Sequence, residues 1–196
     1  MENKNLQKCI DFILEIEKLK TIYRQTYTIH EDRQENDTEH SWHLAVMAIL
    51  LADQADEPVD VTKVLKMVLI HDIVEIDAGD TYCYDAEGYK TKALREAAAA
   101  ERIFGILPDE KGNELKSLWE EFEACESSEA RFAAALDRLQ PLLLNLARKG
   151  RSWHEHGITS EKVYKRNEHV KDISENLGRY IYSLLDDAVD KGYLPK

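Results

Sequence analysis

Several residue types that often reveal a protein's class are scarce in this 196-residue chain. Its three cysteines are an odd number and form no CxxC pair, so the sequence indicates neither a disulfide framework nor a thiolate zinc site. Glycine (8) and proline (4) are few, which favours long helices over a turn-rich β-protein. No segment approaches the roughly 20 consecutive apolar residues that a membrane-spanning helix needs.

Positive charge is also in short supply, because 26 lysines and arginines face 38 aspartates and glutamates, for a net charge of −12. A surface this acidic repels a nucleic-acid backbone, so duplex DNA or RNA is not an expected partner. A small anionic ligand stays compatible, since a metal ion and a few local cations can reverse the potential inside a pocket. The first residues, MENKNLQKC, lack the apolar core of a secretory signal, and we expect the protein in the cytoplasm.

Apolar residues recur at helical spacing through most of the chain, without an internal repeat or a linker-like stretch. The pattern predicts an all-α fold, a single helical bundle over residues 1–196. Its core is expected over about 20–150, with a C-terminal helix over about 160–191 packed on it. The helix over about 61–74 is apolar on nearly every side, so it is predicted to be central and buried.

Two segments lack this helical period. Residues 20–38 are polar and are predicted to form an irregular connection, which ends where Thr38 is the expected N-cap of the second helix. Residues 77–90 contain two glycines and are predicted to form a surface loop. Long loops beside a site often carry substrate contacts, so this loop is a candidate for that role.

The strongest chemical signal is the dipeptide His71-Asp72, which follows an apolar helix that would otherwise continue into Ile73 and Val74. Burying a carboxylate without compensation costs on the order of several kcal/mol, and a bound cation would offset that cost. A surface dipeptide at a helix end is the alternative. The dipeptide alone does not decide between the two.

Two further residues favour a metal site. His40 opens the second helix, and Asp137 lies on an otherwise apolar helix, where a lone aspartate is usually a buried hydrogen-bond acceptor or a ligand. With His71 and Asp72 they offer two imidazole nitrogens and two carboxylates. This donor set suits one divalent ion such as Mn, Co, Fe, Ni or Zn, with Mg among the candidates, and leaves positions open for water and substrate.

The order His40 … His71-Asp72 … Asp137 on successive helices resembles the H…HD…D signature of HD-domain phosphohydrolases. Other stretches are similar to the bacterial 5′-deoxynucleotidase branch and to its human HD-domain-containing relative. The resemblance covers about residues 6–167, most of the chain. Its strongest stretches are Leu19–Arg24, Glu35-Asn36, Glu39–Trp42, His71–Glu75 with Gly79-Asp80, Leu118–Phe122 and Ala130–Asp137.

The resemblance implies specific roles around a single ion. It implies that His40, His71, Asp72 and Asp137 bind the metal. Glu75, one turn after Asp72, would order or deprotonate the attacking water, and Asp72 is a second candidate for that base. The alternative for Glu75 is an ordinary solvated helix residue.

The resemblance also implies substrate contacts. Arg24 matches the basic residue that binds phosphate, Asp80 would face the sugar and disfavour a 2′-hydroxyl, and Lys90 would neutralise phosphate charge. Arg33 is a second basic candidate in the same connection as Arg24. The branch usually has a tryptophan close after that arginine, whereas this chain has Gln25-Thr26-Tyr27, whose tyrosine is the candidate replacement.

The implied reaction is hydrolysis of deoxyribonucleoside 5′-monophosphates to deoxynucleosides and phosphate, by a homodimeric enzyme without a nucleic-acid or membrane partner. One alternative is an HD hydrolase acting on a cyclic nucleotide, a nucleoside triphosphate or an alarmone. Another is a metal-bound regulatory protein without turnover. A single ligand set favours the monoester over substrates of two-metal phosphodiesterases, and Glu75, which metal binding alone does not require, favours turnover.

Overall fold

The computed structural model of the chain describes residues 2–196, with Glu2 described by its backbone alone. It begins with helix α1 (Glu2–Glu15) and a 3-10 turn (Ile16–Thr21), followed by strands β1 (Tyr23–Tyr27) and β2 (Gln34–Asn36). The remaining α-helices are α2 (Asp37–Leu51), α3 (Val61–Ile70), α4 (Glu75–Ala78), α5 (Ala86–Phe104), α6 (Asp109–Ala124), α7 (Ser128–Ala147), α8 (Arg151–Glu155), α9 (Ser160–Asn167) and α10 (Glu175–Asp190).

The predicted all-α class is confirmed, with one small addition. The segment predicted as an irregular connection forms an antiparallel hairpin, in which Tyr23 pairs with Asn36 and Tyr27 with Gln34 across an irregular register. The prediction was wrong there because the strands are short and polar, so they lack the apolar alternation that marks a half-buried strand. Arg24 on β1 and Glu35 on β2 instead direct their side chains to the cluster of His40 and its neighbours.

The main core lies between α2, α3 and α7. Leu44, Val64, Met67, Phe132 and Leu136 have no solvent-exposed surface and belong to one apolar cluster. The C-terminal helix predicted over about 160–191 is divided into α9 and α10 by a 3-10 turn over Glu168–Asp172. The apolar stripe of α10 joins the same cluster, so this helix packs on its own chain. A second cluster lies under α1, α4 and α5; its most buried members are Val74, Ala100, Ile103 and Phe104.

Helix ends place the polar residues that follow. Asn36, and not the predicted Thr38, caps α2, since its side chain accepts a hydrogen bond from the Glu39 backbone at 3.0 Å. The Glu39 carboxylate in turn accepts from the Asn36 backbone N–H at 3.2 Å, which completes a capping box. Helix α2 therefore starts at Asp37, and His40 falls in its first turn with its side chain directed inward.

Helix α3 ends at Ile70, earlier than predicted, and the chain turns through residues 71–74 before α4 begins. Gly79 at φ +73° then leads out of α4 into the loop. Helix α5 begins at Ala86 because the Asp85 carboxylate caps it, so the predicted loop over 77–90 is shorter than expected. Within the described residues, no helix has the length and apolar character needed to cross a membrane.

Candidate active site

The side chains predicted to bind a metal converge from three parts of the chain: the first turn of α2, the turn after α3 and the middle of α7. Nε2 of His40 lies 3.0 Å from Oδ1 of Asp137 and 3.9 Å from Oδ2 of Asp72. Nε2 of His71 lies 3.1 Å from Oδ1 of Asp72 and 3.8 Å from Oδ1 of Asp137. Ligand atoms that share a cation at about 2.0–2.2 Å lie about 3–3.5 Å apart, so the cluster has the dimensions of a metal site.

Both imidazole rings direct Nε2 into this cluster. Nδ1 of His71 donates to the Val68 carbonyl oxygen at 3.0 Å, which leaves Nε2 as the free nitrogen, buried and without a hydrogen-bond partner in the described chain. Burial lowers the pKa of His71, but the carboxylates of Asp72 and Asp137 outweigh it and raise that pKa to about 10. The position beside this Nε2 therefore attracts positive charge, from a proton or from a metal ion.

Gln140 determines the orientation of His40. Its amide nitrogen donates to Oε1 of Glu35 at 2.7 Å and lies 3.1 Å from Nδ1 of His43, so its amide oxygen faces Nδ1 of His40 at 3.0 Å. Nδ1 of His40 must then carry the proton, and its Nε2 presents a lone pair to Asp137. Nε2 of His40 and Oδ1 of Asp137 are then two acceptors only 3.0 Å apart, which requires a cation between them. Like the dimensions of the cluster, this contact indicates that a metal ion fits the site.

The supporting residues Gln140 and Glu35 were not predicted as site residues. Gln140 has no exposed surface and lies one turn after Asp137 on the same face of α7. That spacing was the available signal in the sequence. Burial raises the pKa of Glu35 to about 7, while the charge of Arg24 and the Gln140 hydrogen bond oppose the shift.

Glu75 lies in an unusually acidic environment. Burial, together with the charges of Asp72, Asp37 and Asp80, raises the pKa of Glu75 well above its usual range. One oxygen from each of Asp37, Asp72 and Glu75 lies within 4.8 Å of the others, so Glu75 is adjacent to a ligand of the proposed ion. Burial and the Asp72 charge likewise raise the pKa of Asp37 to about 8.

Arg24 reaches into the cluster from β1. Its Nη1 donates to Oδ2 of Asp72 at 2.8 Å and to Oδ1 of Asp37 at 3.4 Å, and its Nη2 lies 3.8 Å from Oδ1 of Asp137. The buried carboxylates still outnumber this one guanidinium. A bound dication would compensate the excess negative charge, which is the third indication that a metal ion fits.

An open cleft with a cavity volume of about 150 Å³ leads to the cluster. His71 and the other predicted groups line it together, whereas His40 lies beneath the surface behind Asp137. The predicted site residues on its wall are Arg24, His71, Asp72, Glu75, Asp80 and Asp137.

Two predicted basic contacts lie outside the cleft. Arg33 is exposed and pairs with Glu39 at 2.6 Å, and exposed Lys90 pairs with Glu87 at 2.7 Å. Both have carboxylate partners on the outer surface, so the structure does not bring them to the metal cluster. The basic side chains that line the cleft are ones that the sequence analysis did not single out: Lys92, Arg138 and Arg166, in addition to Arg24.

The segment Gln25-Thr26-Tyr27, which stands where the 5′-deoxynucleotidase branch usually has a tryptophan, has only part of its side chains on the cleft wall. Gln25 and Thr26 line the cleft. The Tyr27 ring instead lies under the guanidinium of Arg151, 3.8 Å from its central carbon. Tyr27 is therefore not among the residues on the cleft wall.

A helical bundle with a buried cluster of histidines and aspartates at the base of a cleft is the arrangement of a metal-binding protein with an accessible site. Residues 16–178 match the HD domain family, and the chain belongs to that family. The enzyme is accordingly a metal-dependent phosphohydrolase, and its His/Asp cluster has the donors to hold the ion.

Named relatives agree with this class. The 5′-deoxynucleotidase HDDC2 of Xenopus laevis is 31% identical over 159 residues, 78% of this chain and 75% of that protein. The protein of the same name from Homo sapiens is 30% identical over 135 residues, 68% of this chain and 65% of its own. The crystal structure of a protein from Magnetospirillum magnetotacticum MS-1, described as a predicted metal-dependent phosphohydrolase, is 49% identical with a TM-score of 0.95, covering 100% of this chain and 98% of that one.

Proposed function

We propose that this enzyme hydrolyses deoxyribonucleoside 5′-monophosphates to deoxynucleosides and phosphate. The observation that carries the proposal is the position of Glu75, buried at the base of the cleft beside Asp72 and within the group that Arg24 enters. A base, a metal ligand and a phosphate-binding cation thus share one cleft. The relatives named 5′-deoxynucleotidase support the substrate class.

His40, His71, Asp72 and Asp137 would hold one divalent ion, from among Mn, Co, Fe, Ni, Zn and Mg. Two imidazole nitrogens with two carboxylates favour a first-row transition metal over Mg, which prefers oxygen ligands alone. When bound, such an ion polarises a phosphoryl oxygen and makes water more acidic.

In the proposed reaction Glu75 accepts a proton from the attacking water. Its raised pKa makes the ionised carboxylate a stronger base than an exposed glutamate, and positive charge in the cluster favours that ionised form. Asp72 touches the same space and is the alternative base. Arg24 lines the cleft and would stabilise negative charge on the phosphoryl oxygens.

Asp80 is the proposed determinant of the sugar. It lies half-buried on the cleft wall directly after Gly79, and burial raises its pKa. A side chain held there would leave no room for a 2′-hydroxyl, so the deoxyribose would be preferred.

The test is phosphate release from a panel of deoxyribonucleoside and ribonucleoside 5′-monophosphates, using protein stripped of metal and reloaded with Mn²⁺, Co²⁺ or Zn²⁺. We expect release only after reloading, and faster release from deoxynucleotides. Absence of release from every nucleotide, with metal measurably bound, would contradict the proposal. It would favour another phosphorylated substrate or a regulatory role.

We also propose that the enzyme works in the cytoplasm as a homodimer. The apolar stripe of α10 is buried on its own chain, so the contact is expected elsewhere. Trp42, Ile49 and Leu50 on α2 are more than half exposed (66%, 61% and 69%), which supports that helix as part of the contact. Light scattering after gel filtration should give twice the monomer mass of 22.6 kDa; a monomer would contradict the assembly and leave the chemistry unaffected.

A further inference from the structure

A second cavity continues outward from the active-site cleft, between α7, α9 and the loop before α5. The two cavities share Tyr84, Tyr89, Arg138 and Arg166. The second one also has Lys162 and Lys165 on its wall. We call this surface the basic groove and define it by its four cations, Arg138, Lys162, Lys165 and Arg166.

The cations of the basic groove differ from most other basic side chains in their lack of carboxylate partners among the described residues. Elsewhere the long basic side chains are mostly paired, as for Arg102 with Asp77, Arg131 with Glu57 and Lys63 with Glu121. In the part of the chain that the structure describes, no ion pair involves any of the four groove cations. The one acid on the groove wall is Glu168, whose carboxylate lies 3.4 Å from His169 instead.

This concentration of unpaired positive charge runs against the composition of the protein. The chain carries 38 acidic residues against 26 basic ones, so a random surface of this size would hold more carboxylates than cations. Arg138 and Arg166 are also half-buried. A guanidinium that loses water without gaining a partner is unfavourable, which makes these positions suited to an anion supplied by a ligand.

The groove adjoins the catalytic cluster directly. Arg138 follows the proposed metal ligand Asp137 in α7, and Arg166 lines the same cleft as Asp72 and Glu75. A molecule whose phosphate lies at the metal cluster would therefore extend toward the groove. Two tyrosine side chains, Tyr84 and Tyr89, lie on the wall between and offer rings for a sugar or base to pack on.

We propose that the basic groove binds a second phosphate of the substrate, which is retained while the first is hydrolysed. This inference rests on the proposed nucleotidase function. On a deoxyribose, the base occupies C1′, the scissile phosphate occupies the 5′ oxygen, and C2′ bears no oxygen. A phosphate on the 3′ oxygen leaves the 5′-phosphate monoester free to be hydrolysed, so the groove selects deoxyribonucleoside 3′,5′-bisphosphates.

The chemical step is unchanged by the second group. Water adds its oxygen to the 5′ phosphorus, the bond from phosphorus to the 5′ ester oxygen breaks, and that oxygen takes up a proton. The products are inorganic phosphate and a deoxynucleoside that keeps its 3′-phosphate. The groove cations act on binding, through charge-assisted hydrogen bonds to phosphate oxygens.

The experiment compares kcat/KM for deoxyadenosine 5′-monophosphate and deoxyadenosine 3′,5′-bisphosphate with the metal-loaded enzyme. We expect the bisphosphate to be preferred by about tenfold or more, through a lower KM, with the preference shrinking as ionic strength rises. Arg166→Gln, and the double substitution Lys162→Gln with Lys165→Gln, should each reduce that ratio toward one. Lys171→Gln removes one positive charge, as Arg166→Gln does, from a neighbouring exposed site and should leave the ratio unchanged.

Equal kcat/KM for the two nucleotides in the wild-type enzyme would overturn the inference while leaving the proposed function intact. Hydrolysis of neither nucleotide would overturn the proposed function, and binding then decides on the groove. Calorimetric titration of metal-loaded Glu75→Gln enzyme with each nucleotide provides that measurement. Tighter binding of the bisphosphate, lost when Arg166→Gln is added, supports the groove as a phosphate site; equal binding of the two nucleotides rejects it.

Discussion

At the scale of single residues, metal binding depends on which nitrogen of each imidazole carries the proton. A backbone carbonyl makes this choice for His71, and the side-chain amide of Gln140 makes it for His40. Glu35 holds that amide in the required orientation at 2.7 Å. Such supporting contacts typically change metal affinity by about 10–100-fold when they are removed.

Gln140→Leu should therefore weaken metal binding by about 10–100-fold, because His40 loses the acceptor that keeps its Nε2 free. Competition with a chromogenic chelator measures the dissociation constant. Asn145→Leu is the matched control, since this buried amide on the same helix bonds only to the Pro141 carbonyl and should leave metal affinity unchanged. An unaltered dissociation constant in a folded Gln140→Leu protein would show that His40 is oriented without it.

Glu75→Gln should lower kcat by about 10²–10⁴-fold while the metal content is retained, because the amide cannot accept the proton of water. Phosphate release and elemental analysis of the same sample measure the two quantities. Asp77→Asn is the control, because Asp77 lies in the same short helix and pairs with Arg102 on the outer surface. Turnover at the wild-type rate in the Glu75→Gln enzyme would transfer the base role to Asp72.

Asp80→Ala should relax the preference for deoxyribonucleotides, since its removal opens space on the cleft wall beside the proposed sugar position. The expected change is an increase of about tenfold in kcat/KM for ribonucleotides relative to deoxyribonucleotides, equivalent to about 1.4 kcal/mol. Ratios are measured on paired adenine nucleotides. A constant ratio would remove Asp80 from sugar selection.

At the scale of secondary-structure elements, helix ends place the proposed metal ligands. The Asn36 capping box starts α2 at Asp37, so His40 is held in its first turn, and the end of α3 at Ile70 releases His71 and Asp72 into a turn. Both boundaries differ from the sequence-based prediction. The apolar period that locates a helix continues across its ends, and only the local hydrogen bonds determine where the helix stops.

The Asn36 cap is testable by itself. Asn36→Ala should lower the free energy of unfolding by about 1 kcal/mol, because the Glu39 N–H loses its acceptor. Asn36→Asp keeps a side-chain oxygen that accepts the Glu39 N–H and should retain most of the stability. Urea denaturation followed by circular dichroism compares the variants, and equal midpoints for Asn36→Ala and wild type would show that the cap is not stabilising.

Some secondary-structure elements could be predicted from the sequence and others could not. Helices with a one-sided or uniformly apolar pattern, such as α2, α3, α7 and α10, were predicted because burial imposes their period. The hairpin was not predicted, because its short strands carry polar side chains and lack the apolar alternation of a half-buried strand. The proposed metal ligands are recognisable by residue type and order, whereas the proposed roles of Gln140 and Arg166 depend on which neighbours the fold brings to them.

At the scale of the whole molecule, the site concentrates negative charge in a protein whose net charge is already negative. Several carboxylates are buried around Arg24 in a chain of net charge −12. Their mutual repulsion opposes folding unless positive charge is present. The metal ion should therefore contribute to the stability of the fold as well as to catalysis.

Removal of the metal should lower the melting temperature. An ion that binds only the native state at a free concentration about 100-fold above its dissociation constant stabilises by about 2.7 kcal/mol, which for a chain of this size corresponds to about 5–10 °C. Differential scanning calorimetry with chelator, and again after reloading with Mn²⁺ or Co²⁺, measures the change and its reversal. His71→Ala lacks a ligand, so its melting temperature should respond much less to the same ions. Identical melting temperatures of the wild-type protein with chelator and with metal would mean that the carboxylate cluster is stable without a cation, and that its excess charge is offset by protons instead.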